Sequence, residues 1–330
     1  MKIIVSGGTG FLGSSLAQNL SGAGHEVHTI GRKPASTTGS NKLIHHTFDL
    51  SKDTLPASLL SDTDIFFHIA AKAGVWGEYS EFYNANVVAT EKILVACESA
   101  NIPRLIYTST PSVVFCGKSI VGGNESLQYG DTGFSPYAET KAIAEQKVLG
   151  AHSPGKIQTI ALRPHLVWGE NDPHLLPRVI ARHKAGKLRI IGSGQNQVDL
   201  THIENVTHAH ICAMQEMIRN KNLGGKPYFI GQSEPVFLWK WLNQVFQSID
   251  LPPLTKKLSF QNAFILGASL EKIWKILRIK QEPPMTRFVA CQLAHDHWFS
   301  NQSAERDLGY TPVKNMTDAL RETNPWLRTL

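Results

Sequence analysis

Short apolar runs alternate with segments of helical periodicity along the first half of the chain. Apolar side chains recur with the helical period at 11–23, 80–100 and 136–149. The apolar runs are predicted strands, at 2–6, 26–30, 43–50, 64–71, 104–114 and 157–163. Strands that alternate with helices are joined by right-handed crossovers and form a parallel sheet that is covered on both faces. The predicted fold class is therefore α/β, with a doubly wound parallel sheet.

The pattern changes after Pro164. The elements predicted beyond it are a helix at 174–185, a strand pair at 188–201, a helix at 204–219, a strand at 227–230 and mainly helical chain from 234 onward. We interpret this half as a smaller, mainly helical C-terminal cap that returns some elements to the first domain. The predicted division is a first domain of residues 1–165 with returning segments at about 195–231, and a cap formed by 166–194 and 232–330.

A glycine-rich loop, VSGGTGFLGSSLAQNL, joins the first predicted strand to the first predicted helix. Gly7, Gly10 and Gly13 permit a tight turn, close approach of backbone N–H groups to a pyrophosphate, and close packing of helix on strand. The helix N-terminus adds a partial positive charge. This context predicts a Rossmann domain that binds a dinucleotide. The predicted cofactor-binding residues in this half are Gly7, Thr9, Gly10, Phe11, Leu12, Gly13, Arg32, Asp49, Leu50, Ala70, Ala71 and Lys72.

Two strand ends indicate how the adenosine half would be bound. The second predicted strand ends in HTIGRKP, where Arg32, followed by Lys33, can meet a ribose 2′-phosphate, whereas NAD sites usually place Asp or Glu there. We therefore predict a preference for NADP(H), with NAD(H) as the alternative if Arg32 is only an exposed turn residue. Asp49 closes the third strand and is a candidate acceptor for the adenine amino group. Small residues in HIAAKAG (68–74) suit backbone that passes close beneath a ligand.

The segment SPYAETKAIAEQ (135–146) predicts a helix with an unusual start. Ser135 suits the N-cap and Pro136 the first helical position. Tyr137 and Lys141 then lie one turn apart on one face. Such a pair also occurs by chance on a solvated helix, so the remaining motifs must decide.

Hydroxyl groups at the end of the fifth predicted strand, YTSTPSVVF, give this pair a context. Ser109 and Thr110 would lie at the crevice where open sheets bind ligands, although β-propensity alone could explain them. We expect Thr110 to hold a substrate oxygen and Tyr137 to transfer a proton to or from it. A free tyrosine has a pKa near 10, so we expect Lys141 and the oxidised nicotinamide to lower the pKa of Tyr137.

Composition excludes several other classes. The chain has 330 residues, 42% hydrophobic and 18% charged, with a formal charge of +6, but its Lys and Arg are scattered, so nucleic acid is not an expected partner. A run of 18 apolar residues is missing, as is a signal peptide, which predicts a cytoplasmic protein without a membrane span. Four separated cysteines predict reduced thiols, and the fourteen histidines lack the spacing of a metal site, so no metal is expected.

Four motifs in order, GGTGFLG, YTST, Tyr137-x-x-x-Lys141 and LRP (162–164), resemble the extended short-chain dehydrogenase/reductase superfamily. The segments AAKAGVWG, NANVVATEKILVAC, YTSTPSVVF, HIENVTHAH and MTRFVACQLAHDHWFS resemble its 3β-hydroxysteroid dehydrogenase branch, and within it the bacterial reductases of 2-alkyl-3-oxoalkanoates in olefin biosynthesis. This chain departs from the Asn-Val-x-Gly-Thr pattern of many relatives by Ala89.

The resemblance implies roles for several residues. Thr110, Tyr137 and Lys141 would form the catalytic triad, and Lys141 would also bind the nicotinamide ribose. Pro164 and the residues up to Val167 would pass along the nicotinamide carboxamide. The resemblance also implies a homodimer, paired through helices at about 86–100 and 137–150, whose apolar faces could equally pack within one chain.

The substrate is expected to contact the cap. The segment 258–280 is rich in apolar and basic residues and has three interpretations: a core helix, the wall of an apolar pocket, or a helix at a membrane interface. The candidates for contact with substrate are Trp76, Ser109, His165 and Arg178, with Trp168 and Phe115 as further possible lining residues. A substrate carboxylate would need a cation, for which the candidates are Lys72, His165, Arg178 and Arg287.

The resulting functional hypothesis is NADPH-dependent reduction of a hydrophobic 3-oxo acid, such as a 2-alkyl-3-oxoalkanoate, to the 3-hydroxy acid, with Tyr137 as general acid and a role in lipid metabolism. The alternatives are an NAD(P)-dependent 3β-hydroxysteroid or sterol dehydrogenase, a nucleotide-sugar epimerase or dehydratase, and a non-catalytic NADP-binding protein.

Overall fold

The computed structural model describes residues 1–34, 42–130 and 133–330. The strands are β1 (Lys2–Ser6), β2 (Glu26–Gly31), β3 (Leu43–Thr47), β4 (Ile65–His68), β5 (Arg104–Thr108), β6 (Ile120–Gly123), β7 (Gln158–Pro164), β8 (Val167–Trp168), β9 (Ile190–Ile191), β10 (Gln197–Val198), β11 (Thr201–His202), β12 (Lys226–Ile230), β13 (Val236–Phe237), β14 (Lys257–Leu258) and β15 (His297–Phe299). The helices are α1 (Phe11–Gly22), α2 (Ala57–Leu60), α3 (Tyr79–Tyr83), α4 (Ala89–Ser99), α5 (Pro136–Gly150), α6 (Leu176–Lys184), α7 (Ile203–Arg219), α8 (Leu238–Ser248), α9 (Phe260–Ile276), α10 (Arg287–Ala294), α11 (Gln302–Leu308) and α12 (Met316–Leu327).

A seven-stranded parallel sheet forms the centre of the molecule. Its strand order is β12-β7-β5-β4-β1-β2-β3, with every neighbouring pair parallel. The inner strands are buried on both faces, as their apolar sequences require in a sheet that is covered on both sides. The order reverses direction between β1 and β4, which places a crevice at the carboxyl ends of these strands. The predicted doubly wound α/β class is confirmed.

Helices cover both faces of this sheet. On one face α1, α7 and α11 pack against the sheet around Leu16, Ala213 and Leu308. On the other face α2, α4 and α5 pack around Leu60, Ile93 and Val148. A further apolar core lies in the C-terminal half, where it joins α6, α8, α10 and α12.

Several element boundaries differ from the sequence prediction. The strand predicted at 104–114 ends at Thr108, because Pro111 begins a single turn of 3₁₀-helix that Thr110 caps by accepting a hydrogen bond from the Ser112 N–H. The helix predicted at 80–100 is divided by a π-helical turn at Asn84–Val88. The prediction that two strands within 188–201 pair with each other was wrong. Instead, β9 pairs with β14, whereas β10 pairs with β13 and β15.

Two segments pack across the predicted domain division. The helix α11, predicted to belong to the cap, packs against α7 and β12. The strand β10, predicted to return to the first domain, lies in a four-stranded sheet of order β13-β10-β15-β6. Both placements follow from apolar contacts between segments that are far apart in sequence, and no local pattern indicates them.

A buried ion pair fixes α5 to the sheet. Glu145 on α5 accepts hydrogen bonds from the Arg163 guanidinium on β7, one of them from Nε at 3.0 Å, and both side chains are withdrawn from water. Tyr129 donates a further hydrogen bond to Glu145 at 2.8 Å. Since a buried charge is tolerated only beside a partner, this pair fixes the position of α5 along β7.

Across the described ranges, the helices all fall short of the length and apolar character needed to cross a membrane. Three of the four cysteines, Cys97, Cys212 and Cys291, are buried as free thiols, and Cys116 is exposed. Among the residues that the structure describes, His, Cys, Asp and Glu side chains do not gather in groups of three or more that could hold a metal ion.

Candidate active site

A cavity of about 970 Å³ opens at the carboxyl ends of the sheet strands, between the sheet and the C-terminal half. Its floor is formed by the glycine loop and by the residues that follow β2, β3, β4, β5 and β7. The start of α5 supplies one side, and α6, α8 and α10 supply the opposite wall. All residues predicted to bind the cofactor or to act in catalysis lie on this surface.

The glycine loop leaves no room for side chains. Gly7 has a φ of +72°, and a Cβ on Gly13 would lie 2.1 Å from the Gly7 carbonyl oxygen. Gly10 is the N-cap of α1 and has no side chain to offer, so backbone N–H groups of the first turn face the cavity. This cradle fits a diphosphate, because donors and the positive end of the helix face the same space.

A serine that the sequence analysis overlooked holds the loop in register with β4. The Ser6 hydroxyl accepts hydrogen bonds from the Ile69 and Ala70 N–H groups, at 3.1 and 3.2 Å. It also shares a 2.8 Å hydrogen bond with the buried His68, whose other ring nitrogen bonds to Thr90. Burial lowers the pKa of His68 to about 3, so this ring is neutral and structural.

Arg32 and Asp49 lie at the other end of the cavity. Arg32 follows β2 directly and is exposed, so its guanidinium is accessible to an anion. Asp49 accepts hydrogen bonds from the Ser51 hydroxyl, at 2.6 Å, and from its N–H, which lower the pKa of the carboxyl group. One carboxylate oxygen is therefore engaged by Ser51.

The predicted helix start at 135–146 has the expected geometry. The Ser135 hydroxyl accepts a hydrogen bond from the Ala138 N–H, and Pro136 is the first helical residue. Tyr137 and Lys141 both line the cavity. The Lys141 ammonium donates to the Thr108 carbonyl oxygen at 2.7 Å and lies 4.0 Å from the centre of the Tyr107 ring.

The electrostatics of this pair differ from the expectation. Burial raises the pKa of Tyr137, and a hydrogen bond with Thr110 opposes the rise only in part. Burial also lowers the pKa of Lys141 to about 7, against the attraction of Glu145. The expected lowering of the Tyr137 pKa by Lys141 is therefore not found within the chain, because loss of hydration outweighs the nearby amine. Near neutral pH the phenol keeps its proton.

The two hydroxyl groups after β5 differ in their bonding. Thr110 bonds to Ser112, through both the N–H and the hydroxyl, and interacts with Tyr137. Among the described residues, the buried Ser109 hydroxyl has no hydrogen-bond partner. Both residues lie on the cavity surface, so an orphaned donor is available there for a ligand.

Asn86 joins the cavity floor to α5. Its amide oxygen accepts from the Lys72 N–H at 2.7 Å, and its amide nitrogen donates to the Lys72 carbonyl oxygen and to the Thr140 hydroxyl. The π-helical turn directs this side chain into the buried gap. In the sequence, Asn86 is the first residue of the Asn-Val-x-Ala-Thr segment that ends at Thr90, and the sequence analysis gave it no role.

The sequence analysis largely missed the apolar wall of the cavity. Its apolar residues come from α6, α8, α10 and nearby loops, and are Val75, Leu175, Val179, Leu188, Trp239, Leu242, Phe288, Val289 and Leu293. All of α9, one predicted pocket wall, lies outside this cavity. Trp76, Trp168 and Phe115 also lie outside it: the Trp76 ring N–H donates to the Ile279 carbonyl oxygen, and Trp168 and Phe115 are buried in separate apolar cores. Only tertiary packing reveals that α6, α8 and α10, and not α9, form this wall of the cavity.

The candidate cations divide into two groups. Lys72 lines the cavity but is paired with Glu81. Arg287 lies outside it and pairs with Glu271. His165 lines the cavity, yet burial holds its pKa well below the ordinary value, so it carries no charge.

Arg178 and Arg182 remain, one turn apart on α6, and both line the cavity. Arg178 pairs with Glu282, and Arg182 donates to the Pro284 carbonyl oxygen. Glu282 is ion-paired with Arg178, and its charge also acts on Arg182, which bonds to a neutral carbonyl group. Burial and the repulsion from Arg178 both lower the pKa of Arg182. Positive charge is therefore in excess at this wall, and Arg182 was not a sequence candidate.

Comparison with known proteins places these features in context. The model of the 3-beta hydroxysteroid dehydrogenase/isomerase family matches residues 4–260. The 2-alkyl-3-oxoalkanoate reductase of Stenotrophomonas maltophilia (strain K279a) is 40% identical over 323 residues, or 97% of this chain and 98% of that protein. The decarboxylating sterol-4-alpha-carboxylate 3-dehydrogenase of Homo sapiens is 31% identical, over 98% of this chain and 87% of that protein. A solved structure of MoeE5 in complex with UDP-glucuronic acid and NAD has a TM-score of 0.77 at 24% identity, covering 100% of this chain and 99% of that one, which shows a shared fold.

The buried amine generates a prediction about stability and pH. An unfolded lysine keeps its proton up to about pH 10, whereas folded Lys141 loses it near pH 7. Between these values the folded state binds fewer protons, so the free energy of unfolding should rise with pH by up to about 1.4 kcal/mol per pH unit relative to a Lys141→Met variant. Urea unfolding of both proteins at several pH values from 7 to 10 measures this difference. An exposed control, Lys118→Met, should follow the original chain, and a Lys141→Met difference that stays constant or falls with pH would contradict the prediction.

Proposed function

Because this chain belongs to the 3-beta hydroxysteroid dehydrogenase/isomerase family and is an oxidoreductase, we propose that it reduces a hydrophobic 3-oxo acid to the 3-hydroxy acid with NADPH. The observation that carries the proposal is one cavity in which Tyr137, Lys141 and Thr110 face an apolar wall that bears two arginines. The three side chains suit carbonyl reduction. The apolar wall suits an alkyl chain, and its two arginines suit a carboxylate.

The names of two relatives support this class of substrate. One acts on a 2-alkyl-3-oxoalkanoate and the other on a sterol 4α-carboxylate at position 3. In both cases the reacting oxygen lies on the carbon next to the one that bears the carboxylate. We infer the same arrangement for the substrate of this chain, and the higher identity to the first relative favours an open alkyl chain over a sterol.

The residues present fit a nicotinamide dinucleotide. The glycine cradle would hold the diphosphate, and Arg32 would meet a 2′-phosphate. Lys141 would bond the nicotinamide ribose, and Pro164 to Val167 would lie along the carboxamide. When bound, the reduced nicotinamide supplies a hydride to the substrate carbonyl carbon.

Tyr137 would act as the general acid. As the carbon–oxygen double bond opens, its electron pair moves to the oxygen, which takes the phenolic proton of Tyr137. Thr110 would hold that oxygen by a hydrogen bond. Because burial raises the pKa of Tyr137, the phenol holds the proton that reduction requires near neutral pH. This protonation state favours reduction over alcohol oxidation, for which a phenolate would be needed.

Other functions fit the cavity less well. A 3β-hydroxysteroid or sterol dehydrogenase would share the triad and remains the second candidate, supported by the relative named for a sterol carboxylate. A nucleotide-sugar epimerase or dehydratase needs a polar pocket, whereas the wall here is apolar. A purely binding protein would have no need of Tyr137.

Assembly and location are further parts of the proposal. The helices α4 and α5, through which the family resemblance implies a homodimer contact, lie side by side and are linked by Lys147 and Glu91. Their outer faces, including the exposed Val95, would form the contact between two copies. We place the protein in the cytoplasm.

Replacing the phenol tests the mechanism. Tyr137→Phe should lower kcat for reduction of a long-chain 3-oxo acid by at least about 100-fold, because the proton donor is lost. The dissociation constant for NADPH, from protein-to-nucleotide fluorescence transfer, should change little. Tyr79→Phe is the matched control, since the Tyr79 hydroxyl bonds to Glu139 outside the cavity. Turnover retained in Tyr137→Phe would exclude this mechanism.

Arg32→Ala tests the cofactor. Loss of a charge-assisted contact to the 2′-phosphate should lower kcat/KM for NADPH by about 10-fold to 100-fold and leave the value for NADH nearly constant. Steady-state rates with both cofactors, with Arg321→Ala as a surface control, give the ratio. A ratio that Arg32→Ala leaves unchanged would remove the proposed NADP preference.

Arg178→Ala tests the carboxylate site. The KM for a 3-oxo acid should rise about tenfold or more, whereas the KM for its methyl ester should change little, because only the acid presents an anion. Arg182→Ala should also raise the KM for the acid. Arg306→Ala, on the protein surface, should change neither the KM for the acid nor the KM for the ester. Equal effects on acid and ester would argue against a carboxylate contact at this wall.

A further inference from the structure

One helix of the cap exposes an unusual amount of apolar surface. Five large apolar side chains within thirteen residues are between 44% and 68% exposed, and they are Ile265, Leu266, Ile273, Ile276 and Leu277. They make up five of the fourteen exposed large apolar residues in the described parts of the chain. The others are scattered singly, which is ordinary for a soluble surface, whereas a cluster of this kind indicates a binding surface.

These side chains share one face of α9. At 100° per residue, Ile265, Ile273 and Ile276 fall within about 80° of one another, and Leu266 and Leu277 extend the same face to about 120°. We call this surface, formed by the five side chains, the α9 apolar face. It extends along about three turns of the helix, with the exposed Ser269 between its two ends.

The α9 apolar face is held outward by the packing of the opposite side. Ala263, Gly267 and Glu271 are buried against the segment that begins α10. A Cβ on Gly267 would lie 2.7 Å from the Thr286 carbonyl carbon, so the two backbones are in close contact. Glu271 accepts hydrogen bonds from the N–H and the guanidinium of Arg287. The helix therefore cannot rotate to bury its apolar face within the same chain.

Basic side chains border this face. Lys272, Lys275, Arg278 and Lys280 are all exposed. The one acidic residue between 260 and 280 is Glu271, which is buried and paired. A second copy of the chain would bring the same positive charges together, which disfavours self-association through this face.

The segment that follows α9 contacts residues at the edge of the cavity. Trp76 follows Gly74 and Val75, which line the cavity, and donates a hydrogen bond to the Ile279 carbonyl oxygen just beyond α9. Glu282, in the same segment, pairs with Arg178 on the cavity wall. The end of α9 is thus attached to both sides of the entrance.

We propose that the α9 apolar face docks on the surface of an anionic lipid membrane. Apolar side chains would enter the boundary between headgroups and acyl chains, and the lysines would face the anionic headgroups, as in interfacial helices. Docking in this orientation brings the cavity entrance to the lipid surface, from which an alkyl-chain substrate could enter. The attachment itself is independent of the substrate proposed above.

Flotation of the full chain with vesicles tests the proposal without any substrate. The protein should float with vesicles of phosphatidylcholine and phosphatidylglycerol, and far less with phosphatidylcholine alone, and added salt should weaken the binding. The double variant Ile265→Ser with Ile276→Ser should bind at least about tenfold more weakly. Lys272→Gln with Lys275→Gln should lose the preference for anionic vesicles.

The matched control is Val121→Ser with Val313→Ser, two exposed apolar residues elsewhere, which should bind as the original chain does. Melting temperatures and reduction of a short-chain, water-soluble 3-oxo acid confirm that each variant is folded. Flotation of the Ile265/Ile276 variant equal to that of the original chain would overturn the proposal. So would a lack of binding to anionic vesicles, or a dimer in light scattering that only the Ile265/Ile276 variant abolishes, since that result would assign the face to a second copy.

Discussion

The ion pair between Glu145 and Arg163 is the constraint on which the site depends. Neither charge can be buried alone, so α5 and β7 meet at one position where each satisfies the other. The rings of Tyr129 and Phe229 lie beside the guanidinium and help to exclude water. Two turns along α5 from Glu145 lies Tyr137, and the residues directly after Arg163 line the cavity. One buried contact thus positions both sides of the reaction space.

The same exclusion of water sets the chemistry of the site. Burial raises the pKa of Tyr137, lowers that of Lys141 to about 7, and holds His165 neutral. Groups that would be charged or readily titrated in water are thereby shifted toward their neutral forms. A neutral phenol beside an apolar wall suits proton donation to a carbonyl, while the cap adds positive charge where the cavity meets α6. In the proposed function, chemistry and substrate binding are therefore separated along one cavity.

The cap separates an inward and an outward apolar surface. Its inward surface comes from α6, α8 and α10, which complete the cavity. Its outward surface is the α9 apolar face, kept outward by the Glu271–Arg287 pair and by the close contact at Gly267. The buried pair of Glu145 with Arg163 and the partly buried pair of Glu271 with Arg287 therefore help to determine which surfaces face the cavity and which face the surroundings.

The sequence by itself determined the glycine cradle, the doubly wound sheet and the capped helix that carries Tyr137 and Lys141, because turns, caps and periodicity act between residues close along the chain. Only the tertiary structure decided which part of the cap lines the cavity, bringing in Arg182 and Trp239 and leaving α9 outside. It also decided the sign of the Tyr137 pKa shift. Packing partners and water exclusion depend on segments far apart in sequence, and a local pattern of apolar residues is the same whether it faces a core, a ligand or the solvent.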